Sequence, residues 1–279
     1  MRAWTCGAVS RHPAMHYGIE DRSALIVGGS KGIGFEVAKY LAAESARVAV
    51  MARTKADVDA AVETIRDSGG SAIGVVADVG NPDQVGDAVR EVTAEHGPPL
   101  IVIGQAKYQR PGDFADITDV TVYRESFESH TMSQIVLLQA VLPAMKDAGW
   151  GRFVHIGSAT AKEPAGNIHH AVANTSRPST IGLLKTVADE YARYGITVNT
   201  VAPGWIETDN ALAYLQQHLG ASSDEERRDF MLTQARVPAA RMGKPEEIAS
   251  LIAYLCSEPA GYLTGSWIEV DGGLHRSAF

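Results

Sequence analysis

The chain has 279 residues, 45% hydrophobic and 21% charged, with a formal net charge of −8. That length suits one α/β domain with a large core, or two small domains, and the composition is ordinary for a soluble globular protein. The negative charge argues against a general nucleic-acid binder, although a local basic pocket stays compatible with it. The two cysteines, Cys6 and Cys256, offer neither a disulfide framework nor a metal-ligand spacing, which suits a reducing cytoplasm. No apolar run approaches the roughly 20 residues needed to span a bilayer, so no membrane partner is expected. The stretch Ala3 to Val9 is too short for a secretory apolar segment and runs into Arg11-His12-Pro13. Residues 1–20 read as a flexible extension, with Met15 as an alternative start, and residues 21–279 as the folded domain.

From Ser23 onward short β-rich runs alternate with amphipathic stretches. Ala24–Val27 reads as a strand, Gly32–Ala43 as a helix, Arg47–Met51 as a strand and Lys55–Ser68 as a helix. Ala72–Val76 is the third strand, followed by a helix over Asp83–His96 and a strand over Leu100–Ile103. A long helical region, broken near Thr118–Thr121, leads to a strand at Arg152–Ile156. A helix over Ala171–Tyr194, a strand at Thr197–Val201, a helix over Pro245–Ser257 and a strand at Ser266–Val270 complete the pattern. This alternation argues for a single doubly wound Rossmann domain: a parallel sheet of about seven strands with helices on both faces.

The first strand runs into Gly28-Gly29-Ser30-Lys31-Gly32-Ile33-Gly34, and a helix follows. Such a turn lets backbone N–H groups approach a pyrophosphate at a helix N-terminus. Gly28 permits the tight turn, Gly32 spares the phosphates a Cβ, and Gly34 lets helix and strand pack closely. A lone glycine triplet is weak, but here both the strand before it and the helix after it are in place.

The G-x-x-x-G-x-G spacing resembles that of the short-chain dehydrogenase/reductase family, and other landmarks agree. Asp78-Val79 follows the third strand, where the family keeps an aspartate that holds the adenine. Asn199-Thr200-Val201-Ala202-Pro203-Gly204 is similar to the family's N-x-V-x-P-G strand end, with Thr208 at the usual distance. Arg241-Met242-Gly243-Lys244-Pro245-Glu246-Glu247-Ile248-Ala249 and Tyr262-Leu263-Thr264-Gly265 with Val270-Asp271-Gly272-Gly273 are similar to its last two signatures. The resemblance spans residues 22–274. It implies cofactor contacts from the glycine-rich loop (Gly28, Ser30, Lys31, Gly32, Ile33 and Gly34), from Gly104 after the fourth strand, and from Pro203, Gly204, Ile206 and Thr208. Residues 205–240 would form a lid over the substrate, with Trp205, Tyr214, Leu215 and Phe230 pointing to a small, partly apolar ligand.

Charge decides between the two nicotinamide dinucleotides. An NAD site wants a carboxylate at the end of the second strand to bind the ribose 2′-OH. Met51-Ala52-Arg53-Thr54 has none there, and Arg53, Thr54 and Lys31 are instead set for a 2′-phosphate, which points to NADP(H).

The family's active site holds Asn, Ser, Tyr and Lys. Ser158 ends the strand where the serine is expected. Counting back from Gly182-Leu183-Leu184-Lys185, which resembles the family's G-L-x-K, puts Arg177 at the lysine position and Ala173 at the tyrosine position. The asparagine position reads His130. Ala173 has no proton to give, and Arg177 can hold a ribose and a fixed charge but cannot easily relay protons. His170, seven residues before Arg177, matches the Tyr-x6-Lys spacing of bacterial enoyl-ACP reductases and is a candidate acid; His169 and His170 as exposed loop residues is the competing reading. Lys107 and Tyr108 border the expected pocket, and His155 reads as core. The catalytic set is therefore Ser158, His170 and Arg177, with no metal. Three functions stay open: an NADPH-dependent reductase of a carbonyl or activated alkene; a non-redox dehydratase, isomerase or cyclase on the same scaffold; and a catalytically silent NADP(H)-binding protein. The family further implies a homo-oligomer, a tetramer or dimer, paired through the long helices near Val122–Lys146 and Ala171–Tyr194.

Overall fold

The computed structural model describes residues 16–106, 111–164 and 169–277. Seven strands form one parallel sheet: β1 (Ser23–Val27), β2 (Arg47–Ala52), β3 (Ser71–Val76), β4 (Ile101–Gln105), β5 (Gly151–Ile156), β6 (Ile196–Pro203) and β7 (Trp267–Val270), in the order β3-β2-β1-β4-β5-β6-β7. Parallel strands need covered crossovers, and the residues of β1 show the result. Ala24 and Ile26 join the core on one face, with Val37 and Leu41 of α1 (Gly32–Ala43), Val58 and Ile65 of α2 (Lys55–Asp67) and Ile252 of α9 (Pro245–Leu255). Leu25 and Val27 join the other, with Val92 of α3 (Pro82–His96), Leu137 of α5 (Ser133–Ala148) and Leu184 of α6 (Ala171–Tyr191). β1, β5 and β6 are buried along their whole length, as strands covered on both faces are, and β5 and β6 enclose buried polar side chains such as Arg152, His155 and Asn199. The strand order reverses between β1 and β4, and a ligand crevice forms outside the carboxyl ends of strands at such a point.

Most elements match to within two residues, and four features differ by more. The helical region before β5 is not broken near Thr118–Thr121, where α4 (Val120–Phe127) merely begins; it is broken by a π turn at Glu128–Met132 that leads directly into α5. Helix α6 ends at Tyr191 and one 3₁₀ turn carries the chain to Tyr194. The expected lid contains two helices, α7 (Asp209–His218) and α8 (Asp224–Thr233), capped by Thr208 and Ser223. Finally, the N-terminal extension is shorter than residue 20 suggested. Ile19 is fully buried, and the Tyr17 carbonyl accepts from the Glu258 N–H at 2.7 Å, so packing holds the chain from Tyr17 onward. Residues 1–15, Cys6 and Met15 included, lie outside the described residues.

The Asn199 side chain of β6 clasps the segment that leads into β7. Its amide donates to the Leu263 carbonyl at 2.7 Å and its oxygen accepts from the Ser266 N–H at 3.1 Å. No described helix is long and apolar enough to cross a membrane, and no group of metal-ligating side chains occurs among the described residues.

Candidate active site

The glycine-rich turn has the geometry that a diphosphate requires. Gly32 adopts φ +55°, and a Cβ on Gly34 would stand 2.4 Å from the Gly28 carbonyl oxygen, so the turn folds this tightly only with glycine there. Helix α1 begins without a side-chain cap, which leaves its first N–H groups for an anion. Ser30 and Ile33 are half-buried beside them. Thr208, the cap of α7, lies against the same loop, with its Cγ2 3.2 Å from where a Cβ on Gly32 would start. The residues present thus fit a dinucleotide, whose diphosphate the loop and the start of α1 would hold.

The outlying candidates divide. Arg53 and Thr54 are exposed after β2, open to a ribose substituent. The Lys31 ammonium, in contrast, pairs with Asp57 of α2 at 2.9 Å. Asp78 holds its own turn, accepting from the Gly80 N–H at 3.0 Å, with half-buried Val79 beside it. Gly104 answers to packing: a Cβ there would meet Gln134 Oε1 at 2.2 Å and Phe153 Cζ at 2.9 Å. Pro203 ends β6, Gly204 lies against Asp271, and Ile206 is buried by a bridge to Gly243.

Beyond β5 the chain turns sharply. A 3₁₀ turn at Ala159–Ala161 starts after Ser158 and brings the Thr160 hydroxyl within 3.2 Å of Ser158 Oγ. From α6, Arg177 Nη1 donates to the same Thr160 Oγ1. Ser158 and Arg177 are therefore joined through a residue that sequence reasoning missed; the only signal was a second hydroxyl two residues past Ser158. Ala173, one turn before Arg177, is 2% exposed and brings no polar group.

Three histidines stand within electrostatic reach of Arg177. His130 lies in the π turn, and its Nδ1 meets the Ser126 carbonyl at 3.0 Å and Ser176 Oγ at 3.1 Å. Thr180 Oγ1 donates to the His130 carbonyl at 3.0 Å, which locks the turn to α6. Burial, then Arg177, push His130 down to about 4. His155, on β5, is pushed down to about 3 by burial, then by His130 and Arg177. His170 precedes α6 and falls to about 4 through burial, then Arg177, then His169. Both ring nitrogens of His170 are buried without a hydrogen-bond partner among the described residues, and its ring packs on Tyr214 of α7 at 5.4 Å between centroids. Its neighbour His169 is half-buried and its Nδ1 reaches Asp113 at 2.7 Å, so neither histidine is the exposed loop residue of the competing reading. At neutral pH the site thus combines one fixed guanidinium with neutral imidazoles, which accept protons more readily than they release them.

The lid differs from its expected role in part. Leu215 and Phe230, with 0% and 2% exposure, pack with Met231, Val237 and Met242 into a small core of the lid itself. Tyr214 meets the catalytic side of the site, through His170, as Thr208 meets the glycine-rich loop. Lys107 and Tyr108 lie outside the described residues.

Comparison with known proteins agrees with this architecture. A family model described as enoyl-(acyl carrier protein) reductase matches residues 27–275. The 3-oxoacyl-(acyl-carrier-protein) reductase FabG of Vibrio cholerae is 34% identical over 92% of this chain and 98% of its own length. L-sorbose reductase of Gluconobacter frateurii, solved with NADPH and L-sorbose, superposes with a TM-score of 0.86 at 27% identity, over 94% of this chain and 100% of that one. An NADPH-bound short-chain oxidoreductase of Pseudomonas aeruginosa PAO1, described as containing an atypical catalytic center, has the same TM-score at 28% identity and the same coverage. With the glycine-rich turn, the sheet order and the Asn199 strand end in place, the chain belongs to the short-chain dehydrogenase/reductase superfamily.

Proposed function

We propose that this chain is an NADPH-dependent reductase of a carbonyl or an activated alkene, working without a tyrosine at the family's donor position. The observation that carries the reading is the union of a glycine cradle shaped for a diphosphate with a Ser158–Thr160–Arg177 cluster beside Ala173. NADPH-bound reductases of the same fold, one of them with an atypical centre, support it. NADPH, when bound, supplies hydride. Ser158 would hydrogen-bond the substrate oxygen, and Arg177 would hold the nicotinamide ribose and keep the site positive. His170, neutral at rest, would relay a proton taken from water. Arg53 and Thr54 would meet the 2′-phosphate, and Lys31 would join them by leaving Asp57. The substrate is small and partly apolar, and the protein works as a cytoplasmic homo-oligomer.

The test is loss of NADPH absorbance with 2-cyclohexen-1-one and 2,3-butanedione as probes, followed by product identification. Turnover of either supports the reading. NADPH binding without turnover of any alkene or carbonyl would favour the silent binder. The second reading, a non-redox dehydratase, isomerase or cyclase, draws on the imidazoles of His130 and His170, which are unprotonated at neutral pH and free to accept a proton beside a fixed cation, as weak bases because burial and Arg177 lower their pKa.

A further inference from the structure

The hydroxyl of Thr160 stands between a group that can only donate and a group that must donate. Arg177 has N–H donors and no acceptor, so Thr160 Oγ1 accepts from it. A carbonyl oxygen has no hydrogen, so a serine that binds one must give its own. Once Ser158 gives its hydrogen away, the 3.2 Å contact between the two hydroxyls has one remaining polarity, with Thr160 donating to Ser158. Every hydrogen then points the same way, from guanidinium to Thr160, to Ser158, to the ligand.

We infer that Thr160 is a positioning residue that transmits the Arg177 charge to Ser158 and makes Ser158 a polarised donor for an acceptor-only substrate oxygen. This rests on the reductase reading, because the oxygen it serves is that of a carbonyl or of the enolate formed from a conjugated one. Thr160 is 8% exposed and sits in a 3₁₀ turn whose Ala161 N–H is held by the Ser158 carbonyl at 3.0 Å, so its backbone is fixed and its hydroxyl is largely shielded from water. Hydrogen bonds in such a row polarise one another, and the charged end makes each link stronger than a neutral pair. Thr160 touches neither the substrate nor the reacting atoms. Its effect lies in where Ser158 aims its hydrogen, and how strongly.

The experiment uses the full chain saturated with NADPH and an unreactive carbonyl probe, N-cyclohexylformamide, titrated by calorimetry. Thr160→Val, which keeps the shape and removes the hydroxyl, is expected to weaken formamide binding about tenfold, below the cost of deleting a direct oxyanion donor. Thr160→Ser is expected to restore it to within about twofold, with NADPH kept saturating for each of the three proteins. A second measurement needs no NADPH: the Arg177 guanidinium resonances in nitrogen NMR should show the same restrained Nη in the wild type and in Thr160→Ser, and faster Nη rotation in Thr160→Val. Equal formamide affinity in wild type and Thr160→Val, no formamide uptake by the wild type, or no change at Arg177 would each overturn the inference. A wild type that binds no NADPH while the Arg177 signal still responds to Thr160 would instead overturn the reductase reading and leave the hydrogen-bond row standing.

Discussion

The methyl of Thr208 lies 3.2 Å from the point where a side chain on Gly32 would begin, so the cap of α7 rests on the glycine-rich loop. Lid and cofactor loop therefore share one contact, and Gly32 is held at φ +55° within it. Gly32→Ala should lower stability by about 1 kcal/mol through the left-handed backbone alone. It should also cut NADPH affinity by at least about tenfold, because the new methyl meets both Thr208 and the ligand. Equilibrium urea unfolding and calorimetric titration read the two effects separately.

NADP(H) should bind more tightly than NAD(H), and Arg53→Ala should narrow the gap, by about tenfold for one lost charged hydrogen bond. Asp57→Ala gives the opposite sign. It releases Lys31 from its 2.9 Å ion pair and should tighten NADPH binding a few-fold. Stability should change by less than about 1 kcal/mol, since an exposed pair contributes little. Equal affinities for the two dinucleotides in the wild type would remove the 2′-phosphate role from Arg53.

Stability should fall as the solution is acidified below about 6.5, before the carboxylates titrate. His130, His155 and His170 have folded values near 4, 3 and 4, all below the ordinary 6.5. Between those values and 6.5 the unfolded chain binds more protons than the folded one. Their contribution is therefore complete above about 6.5 and is lost as pH falls toward 4, at up to about 1.4 kcal/mol per pH unit for each histidine. Urea midpoints from pH 8 to 4.5 measure the slope, and His155→Gln should make it shallower. A flat profile would mean that these rings are solvated.

Ala173→Tyr should destabilise the protein by about 1–3 kcal/mol rather than simply restore ordinary carbonyl reduction. Ala173 is 2% exposed, so a ring there has to displace the groups that cover it. A stable Ala173→Tyr protein with new activity on 2,3-butanedione would show that the missing tyrosine was the sole obstacle.

Light scattering at micromolar concentration should give a tetramer or dimer. Phe127 and Met132, on α4 and the π turn, are 43% and 37% exposed, and their apolar surface suits a second copy of the chain. A monomer would refute this.

The sheet could be read from the sequence because its inner strands are buried on both faces: β1, β2 and β4 carry short apolar runs between glycine or polar turns, and β5 and β6 are rich in β-branched and aromatic residues, with a few buried polar ones among them. The lid helices escaped because α8 buries little beyond Phe230 and Met231, too few for a periodic stripe. Its start was nevertheless written in Ser223 and Glu226, a capping box formed by both residues. The π turn left no mark, since one extra residue in a helical turn changes no composition. The Thr160 contact joins residues 17 positions apart through side-chain direction, which spacing does not encode. Ser158, Arg177 and Ala173 were legible only because neighbouring motifs supplied a frame to count from.

The Asn199 clasp bears on the order in which the chain can fold. Strands β3, β2, β1 and β4 lie within residues 23–105 and can pair as soon as that stretch exists. Strand β6 has no neighbour on its outer side until β7 arrives, and the Asn199 amide has no partner until Leu263 and Ser266 arrive. During synthesis the long, apolar edge of β6 therefore stays open until nearly the last residues of the domain emerge, which is the interval in which such an edge can pair with the wrong chain. A chain stopped before residue 263 should accumulate as aggregate, even though every residue of its glycine cradle has been made.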